Sequence, residues 1–296
     1  MGIFSSTPSN VLVQPRNTPG APSTAWAVLT GSTTGIGRDI AHELCSRGFN
    51  VVIHGRNEGR LEELAKTLQA DHGVRVVTLL LDASTAFNPE SYSQTRAAVA
   101  ELESLNVRVL VNNVGTGHAP EGFKPFDRQT AQDVSTVLNV NVAFMTHLTH
   151  ALLPALKKSA GGPKDPSFVV NAGSLADMGL PYAAVYAGTK GYMRAFSLAL
   201  DTELHAEGAH VHVVASIIGD TDSDGHHVGV NLFTPSSRDM ARMVVQSAAA
   251  SGGGVVLPYR LHSLQEWMCA LQPYWMLRAG MGMHMKALVE KYAKTK

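Results

Sequence analysis

Short apolar runs alternate with longer helical patterns along most of this 296-residue chain. A short run that is apolar at nearly every position is typical of a strand buried on both faces, as in a parallel sheet covered by helices. Each helical stretch between two runs would form the right-handed crossover that joins parallel strands. The alternation therefore predicts an α/β fold, a doubly wound parallel sheet of about seven strands with helices on both faces.

The runs and the stretches between them give the bounds of the predicted elements. The predicted strands are Ala25–Thr30, Val51–His54, Val74–Leu81, Val107–Asn112, Ser167–Asn171, His210–Ile218 and Gly254–Leu257. The predicted helices are Ile36–Arg47, Glu58–Asp71, Glu90–Ser104, Thr130–Lys158, Ala184–Glu207 and Ser236–Ala250. Residues 1–24, rich in Ser, Thr, Pro, Asn and Gly, are predicted to form a flexible N-terminal tail. Residues 25–296 then form a single domain, in which residues 259–296 are a helical C-terminal extension.

Composition excludes several kinds of protein. Hydrophobic residues make up 45% of the chain, which excludes general disorder, and 24 Lys and Arg balance 24 Asp and Glu, which argues against a nucleic-acid partner. The two cysteines, Cys45 and Cys269, cannot form a disulfide framework. No apolar stretch reaches the length of about 18 residues that spans a bilayer, and no secretory signal is visible. We therefore predict a cytoplasmic protein.

The C-terminal extension is rich in bulky apolar side chains, and two interpretations of it stay open. Apolar helices usually pack against the core. Because methionine adapts to varied partners, the same residues could instead form a flexible substrate wall or a face in peripheral contact with a membrane. The residues concerned are Trp267, Met268, Trp275, Met276, Met281, Met283 and Met285.

A glycine-rich segment, Thr30–Gly37, connects the first strand to the first helix. Here Gly31 permits a tight turn, Gly35 lets the backbone approach a pyrophosphate, and Gly37 permits close packing of helix on strand. The helix N-terminus offers N–H groups and a positive dipole end to phosphates. We predict a Rossmann-type dinucleotide site, although the glycine spacing differs from the common Gly-x-Gly-x-x-Gly fingerprint. The predicted cofactor contacts in this region are Gly31, Ser32, Thr33, Gly35, Ile36, Gly37 and Arg38.

The end of the second strand indicates which dinucleotide binds. NAD-binding proteins usually carry an acidic residue there for the ribose 2′-hydroxyl, but this strand is followed by Arg56. Arg56, with Arg38 as a second cation, suits a 2′-phosphate, so we predict NADP(H). The alternative is that Arg56 is a solvated residue at a helix start. Further predicted cofactor contacts are Asp82, for which a turn cap is the alternative, and Asn113 and Gly115.

Tyr186 and Lys190 are four residues apart, which places them on one face of a helix, about 6 Å apart along its axis. A fixed ammonium group favours the phenolate, so Tyr186 becomes a usable acid for a ketone oxygen or base for an alcohol. Ser174, past the fifth strand, could hydrogen-bond a substrate oxygen. Asn141, inside a predicted long helix, could hold a water linked to Lys190. For Ser174 and Asn141 the alternative is ordinary capping or core hydrogen bonding.

These motifs, in this order across residues 25–260, resemble those of the short-chain dehydrogenase/reductase family. The resemblance implies that Tyr186 is the general acid/base and that Lys190 binds the nicotinamide ribose and tunes the tyrosine. It also implies that Ser174 orients the carbonyl and that Asn141 holds a relay water. Within the family, the chain is most similar to the very-long-chain 3-ketoacyl-CoA reductase and 17β-hydroxysteroid dehydrogenase branch.

Two segments depart from the family pattern. The spacing of Ser174 and Tyr186 is one residue shorter than usual, which indicates a shortened loop. The usual Pro-Gly after the sixth strand is replaced by Ile-Gly, although Gly219 and Thr221 still fit as cofactor contacts. The next residues, Asp220-x-Asp222-x-Asp224-Gly225, resemble the start of a calcium loop but lack its closing glutamate. We interpret them as a mobile substrate lid, and no metal is predicted.

We therefore predict an NADPH-dependent reductase that transfers hydride to the carbonyl of a hydrophobic ketone, with Tyr186 as general acid. Two alternatives stay open. One is an NADP-dependent dehydrogenase of a hydrophobic, steroid-like secondary alcohol, and the other is a catalytically silent NADP(H)-binding sensor or scaffold. The family resemblance also implies a homodimer or homotetramer that pairs through the helices at residues 130–158 and 184–207.

Overall fold

The computed structural model describes residues 24–117 and 123–294, and within them seven strands form one sheet. The strand order is β3-β2-β1-β4-β5-β6-β7, and every neighbouring pair is parallel. The predicted doubly wound sheet is confirmed. Residues 1–23 of the predicted N-terminal tail lie outside the described residues. The strands are β1 (Ala25–Leu29), β2 (Asn50–Gly55), β3 (Val76–Leu80), β4 (Asn106–Asn112), β5 (Ser167–Ser174), β6 (Val211–Ile218) and β7 (Gly254–Val256).

Helices cover both faces of the sheet, and the predicted C-terminal extension is confirmed as helical. The predicted helix at residues 130–158 is instead two α-helices joined by a π-helical turn, Asn139–Ala143. Single π-turns inside helices are frequent at functional sites. In the described ranges, the α-helices are α1 (Gly35–Ser46), α2 (Glu58–His72), α3 (Tyr92–Leu102), α4 (Ala131–Leu138), α5 (Phe144–Ser159), α6 (Ala184–Ala206), α7 (Ser237–Ser251), α8 (Arg260–Ala270) and α9 (Tyr274–Lys294).

The sheet buries apolar side chains on both faces, which explains the uninterrupted apolar runs in the sequence. In β1, Ala27 and Leu29 pack with residues of α1, α2 and α7, whereas Trp26 and Val28 pack with residues of α3 and α5. Because β1 lies between β2 and β4, the chain winds outwards in both directions from this point of the sheet. Ligands of such sheets bind in the crevice at the carboxyl ends of the strands beside this reversal.

Two regions are more exposed than the sequence predicts. β3 was predicted to be buried on both faces, but Val77 is 39% and Leu80 48% exposed. The reason is that β3 lies at the edge of the sheet, which its own apolar pattern does not reveal. In the C-terminal extension Trp267 is 60% and Trp275 70% exposed, whereas Met285 is buried. The extension therefore packs against the core only in part, and the other interpretations of its exposed residues stay predictions.

Gly37 is expected to tolerate no larger residue. A Cβ at this position would overlap the carbonyl oxygen of Gly31 and lie 2.5 Å from Nδ2 of Asn113, where the glycine-rich segment Thr30–Gly37, here called the phosphate loop, packs on the strands. We expect Gly37→Ala to lower the free energy of unfolding by about 3 kcal/mol, measured by urea denaturation. Gly59→Ala is the matched control, since its Cβ would meet only Asn57 Oδ1 at 3.7 Å. An equally small effect of both substitutions would contradict this packing.

Candidate active site

A cleft of 820 Å³ opens at the carboxyl ends of β1, β2 and β4. It lies beside the reversal of strand order, where a doubly wound sheet binds its ligand. The structure thus brings most of the predicted cofactor contacts to one cavity. Those that line it are Gly31, Thr33, Gly35, Ile36, Gly37, Arg56, Asp82, Asn113 and Gly115.

The phosphate loop is held by the neighbouring strands. Gly31 has a φ of 66°, a left-handed conformation that suits glycine. The Asn113 side-chain amide donates to the carbonyl oxygens of Thr30 and Gly31, both at 3.1 Å. The backbone N–H of Gly31 donates to Nδ1 of His54 at 3.2 Å. Asn113, predicted as a cofactor contact, therefore lines the cleft and also positions the loop.

Three predicted cofactor contacts have their polar groups directed elsewhere. The Ser32 hydroxyl is fully buried and donates to the Leu29 carbonyl at 2.8 Å, so Ser32 shapes the loop instead of lining the cleft. The Thr221 hydroxyl is buried and donates to the Gly219 carbonyl at 3.2 Å. Asp82 lines the cleft, but its Oδ1 accepts from the Ser84 backbone at 2.9 Å, which is the turn cap left open as an alternative.

Asp224 lies at the N-terminus of α1, where the sequence predicts a pyrophosphate. Its Oδ2 accepts from the Gly35 N–H at 3.1 Å and from Nη1 of Arg38 at 2.6 Å. The Gly35 N–H and the Arg38 guanidinium lower the pKa of Asp224. Arg38, the predicted second cation for a 2′-phosphate, also contacts Asp39 at 3.4 Å and so is paired with two carboxylates.

The other aspartates of the loop after β6 are directed to different partners. The Asp220 carboxylate contacts Nε2 of His226 at 2.7 Å. The Asp222 carboxylate accepts from the backbone N–H groups of Val228 and Gly229 at 3.1 and 3.0 Å. Together with Asp224, they hold the loop in place and do not converge on one point, so their geometry differs from that of a calcium loop.

His54 is a site residue that the sequence did not reveal. It is 1% exposed, lines the cleft and stacks on Phe144, with ring centroids 4.9 Å apart. Burial lowers the pKa of His54 from 6.5 to about 4. Because Nδ1 accepts the Gly31 N–H, the ring must stay neutral to hold the phosphate loop. A histidine inside an apolar strand was the one available signal.

We expect acid to destabilise the fold through His54. Its folded pKa of about 4 lies below the unfolded value of 6.5, so the unfolded chain takes up this proton first. The contribution is fully present above pH 6.5 and is lost as the pH falls from 6.5 to 4. Urea denaturation across this range should show a shallower pH dependence for His54→Gln than for the parent chain. Identical pH slopes for the two proteins would contradict the assignment.

Lys190 is fixed at the carboxyl end of β5. Its Nζ donates to the Ala172 carbonyl oxygen at 2.7 Å and lies 5.6 Å from the centre of the Tyr186 ring. The predicted proximity of the two side chains in the first turns of α6 is thereby confirmed. Lys190 is 9% exposed, so its ammonium group is shielded from water and acts strongly on its neighbours.

The segment after β4 lies between the cleft and this pair. A Cβ at Gly115 would lie 3.8 Å from Nζ of Lys190, and one at Gly117 would lie 4.0 Å from the Tyr186 ring. Gly115 also lines the 820 Å³ cleft, whereas Tyr186 and Lys190 do not. The backbone at Gly115 and Gly117 therefore connects the lining of the cleft to the immediate surroundings of the Tyr–Lys pair.

Asn141 fixes that segment from the π-turn. Its Oδ1 accepts from the Thr116 N–H at 2.8 Å, and its Nδ2 donates to the Thr116 carbonyl at 2.9 Å. Nδ2 also donates to Oγ1 of Thr189 at 3.0 Å. The side-chain amide thus connects the loop after β4 with α6, next to Lys190. The side-chain amide of Asn141 therefore acts as a clamp. Both of its polar atoms are used in these bonds, so a relay water would have to be bound by the backbone of Asn141.

Ser174 ends β5, and its Oγ accepts from the Ala176 N–H at 3.2 Å. The shortened loop from Ser174 to α6 contains two left-handed residues, Gly179 with a φ of 101° and Tyr182 with a φ of 63°. A positive φ is uncommon for a bulky residue and is frequent at functional sites. The loop between Ser174 and α6 is therefore tightly turned.

His262 is a second buried histidine that the sequence did not reveal as part of the site. Its Nδ1 accepts from the Gly219 N–H at 3.0 Å, and its Nε2 lies 3.0 Å from the Phe233 carbonyl oxygen. Burial lowers the pKa of His262, consistent with a neutral ring that carries its proton on Nε2. A Cβ at Gly219 would lie 2.7 Å from this ring. His262 therefore ties α8 to the end of β6 and to the loop that follows it.

The fold and the site define a class of protein in which a tyrosine–lysine pair lies beside a dinucleotide-type cleft. Residues 25–228 match the sequence profile of the short chain dehydrogenase family. The chain therefore belongs to that family and is an oxidoreductase. The resemblance found from the motifs is confirmed, and the relatives below support its 3-ketoacyl-CoA reductase branch.

Two named relatives align with most of this chain. A very-long-chain 3-oxoacyl-CoA reductase of Scheffersomyces stipitis is 32% identical over 260 residues, which are 86% of this chain and 70% of the relative. A protein of the same name from Aspergillus fumigatus is 28% identical over 284 residues, 93% of this chain and 79% of the relative.

Solved structures share the fold at lower identity. A 7β-hydroxysteroid dehydrogenase has a TM-score of 0.72 and 20% identity, covering 87% of this chain and 96% of its own. A short-chain dehydrogenase of Sphingobium yanoikuyae in complex with NADPH has a TM-score of 0.66 and 22% identity, covering 84% and 96%. Within the described residues, no helix combines the length and apolar character needed to cross a bilayer.

Proposed function

We propose that this chain is an NADPH-dependent reductase of hydrophobic ketones, with Tyr186 as the general acid. The observation that carries the proposal is the geometry of Lys190, whose ammonium group is anchored on Ala172 between the Tyr186 ring and Gly115 at the end of the cleft. The names of the relatives support reduction of a carbonyl. A cytoplasmic location and assembly into dimers or tetramers stay predictions.

The cleft suits a dinucleotide phosphate by its own chemistry. At the start of α1 the Thr34 side chain makes no capping bond, and the Gly35 N–H donates to the Asp224 carboxylate, so this helix N-terminus accommodates an anionic group. Glycines at 31, 35 and 115 leave room for the backbone to approach a ligand. Arg56 is exposed at the rim, beyond β2, and supplies a cation where the ribose 2′-phosphate would lie. The residues present therefore fit NADP(H).

The reaction requires a proton at the carbonyl oxygen. NADPH, when bound, supplies the hydride. The Tyr186 hydroxyl donates its proton to the developing alkoxide, and the buried Lys190 ammonium group stabilises the phenolate left behind. The Ser174 oxygen accepts the Ala176 N–H, which leaves its hydroxyl proton to hydrogen-bond the same substrate oxygen. Asn141 keeps the segment after β4 against Lys190.

An apolar groove lies next to the loop that follows Ser174, but neither Tyr186 nor Lys190 lines it. It has a volume of 480 Å³ and lies between the loop after Ser174, α6 and the first half of α9. The interpretation of the C-terminal extension as a substrate wall stays a prediction. We propose 3-oxoacyl thioesters as the first substrates to test, because the relatives are named for them. The apolar lining consists of Met178, Leu180, Pro181, Tyr274, Leu277 and Met281.

Turnover on a panel of ketones tests the proposal. NADPH oxidation would be followed with 3-oxoacyl thioesters of increasing chain length and with steroid ketones, and NADP⁺ reduction with the matching alcohols. We expect ketone reduction that improves with the length of the apolar chain. Faster oxidation of steroid-like alcohols would favour the dehydrogenase alternative. Tight NADPH binding without any turnover would favour the silent sensor.

Asp224 is expected to compete with the cofactor. Its carboxylate takes the Gly35 N–H and Arg38, groups that a pyrophosphate or 2′-phosphate would use. We expect Asp224→Asn to bind NADPH about tenfold more tightly, because a like charge at the phosphate site is removed. The matched control is Asp222→Asn, since this carboxylate in the same loop caps Val228 and Gly229 instead. Weaker NADPH binding by the Asp224 variant would contradict the competition.

A further inference from the structure

A group of metal-ligating side chains lies outside the cleft, between α1 and α2. It consists of His42 on α1 and of Asp71 and His72 at the end of α2, and one ligand atom of each lies within 4.8 Å of the other two. Among residues 24–117 and 123–294, this is the one group of three histidine, cysteine or acidic residues that meets this distance. The proposed reductase uses none of the three.

The distance between the two imidazoles fits a shared ion. Nδ1 of His42 and Nε2 of His72 are 3.2 Å apart. Two nitrogens that bind zinc at 2.0–2.1 Å in a tetrahedral arrangement are about 3.3 Å apart. In the metal-free chain, one ring donates an N–H to the other. When that proton moves to the opposite nitrogen of its ring, both lone pairs become available to a cation.

The surroundings allow the site to be loaded. His42 and His72 are half-buried, whereas Asp71 is exposed and can turn its carboxylate towards the rings. Metals bind the neutral imidazole of histidine. The two helices are themselves in contact, so the ligands come from a rigid pair of elements.

We propose that His42, Asp71 and His72 bind one divalent transition-metal ion of the zinc type. Two imidazoles and one carboxylate are a ligand set that zinc accepts, with water in the fourth position. The ion would cross-link α1 to α2 close to the phosphate loop. His42 also lines a smaller cleft of 600 Å³ beside Arg38 and Arg60, away from the Tyr–Lys pair. Because the ion would connect two helices away from the Tyr–Lys pair, we assign it a stabilising role. This inference does not depend on the proposed reductase activity.

Calorimetric titration of the full chain with ZnCl₂, after removal of metals with EDTA, tests the proposal. We expect one ion per chain, and affinities at least about tenfold weaker for His42→Asn and His72→Asn. His150→Asn is the control, because this histidine is exposed on α5 and belongs to no such group. Zinc should also raise the melting temperature of the parent chain and the control, but not that of the other two variants.

Melting of each metal-free variant shows whether it is folded. If a histidine variant does not fold, Asp71→Asn serves in its place, because the exposed carboxylate carries little of the packing. Equal zinc affinity in all variants would overturn the proposal, as adventitious binding elsewhere would then account for the signal. The absence of saturable binding to the parent chain below about 1 mM zinc would overturn it as well.

Discussion

Replacing Tyr186 with phenylalanine is expected to lower kcat for ketone reduction by about 10²- to 10⁴-fold. The substitution removes only the hydroxyl that donates the proton and keeps the ring, which lies 5.6 Å from the Lys190 ammonium group. Because the phosphate loop and Arg56 are untouched, NADPH affinity should stay within about twofold of the parent value. Steady-state kinetics and fluorescence titration with NADPH measure the two effects separately.

Tyr192→Phe is the matched control for this substitution. Tyr192 lies on the same helix, and its hydroxyl is 3.0 Å from Oγ1 of Thr146, away from the cleft. Its loss should leave kcat unchanged. Parent-like turnover in the Tyr186 variant would show that another group protonates the substrate, and the role of Tyr186 would have to be abandoned.

Replacing Arg56 with alanine is expected to weaken NADPH binding by about tenfold to a hundredfold, with little change for NADH. A charge-assisted hydrogen bond contributes about 1.5–3 kcal/mol, and only NADPH carries the 2′-phosphate that would accept it. The guanidinium is exposed at the rim of the cleft, so its removal should leave the fold intact. Parallel titrations with the two nucleotides give the ratio of affinities directly.

Arg242→Ala controls for the loss of one surface charge. Arg242 lies on α7 and pairs only loosely with Asp239, at 3.6 Å. The Arg242→Ala substitution should change neither the affinity for NADPH nor the affinity for NADH. Equal losses of NADPH and NADH affinity in the Arg56 variant would remove the argument for NADP(H), and Arg56 would then be the solvated helix-start residue that the sequence left open.

The local patterns of the sequence were sufficient to predict the sheet and the core of the site. Apolar runs predict the strands because the sheet is buried on both faces. The four-residue spacing of Tyr186 and Lys190 places the two side chains on one face of α6. The glycine loop is equally local, since its role depends on the strand before it and the helix after it. Each of these features depends on neighbours in sequence.

The features that the sequence did not predict depend on distant contacts. The pairing of Arg38 with Asp224 joins residues 186 positions apart, and that of Gly219 with His262 spans 43. The exposure of β3 follows from its place in the strand order. The clamp formed by Asn141 requires the π-turn, which has no distinct hydrophobic period. Such features become visible only when the tertiary structure is known.

A crystal structure of the chain with NADP⁺ tests the proposed reductase most directly. We expect the nicotinamide ring at the Gly115 end of the cleft, with the Tyr186 hydroxyl directed at its reactive carbon and Lys190 at its ribose. We also expect Asp224 to be released from the N-terminus of α1. A Tyr186 hydroxyl that points away from the cleft, or a dinucleotide bound elsewhere, would contradict the proposal.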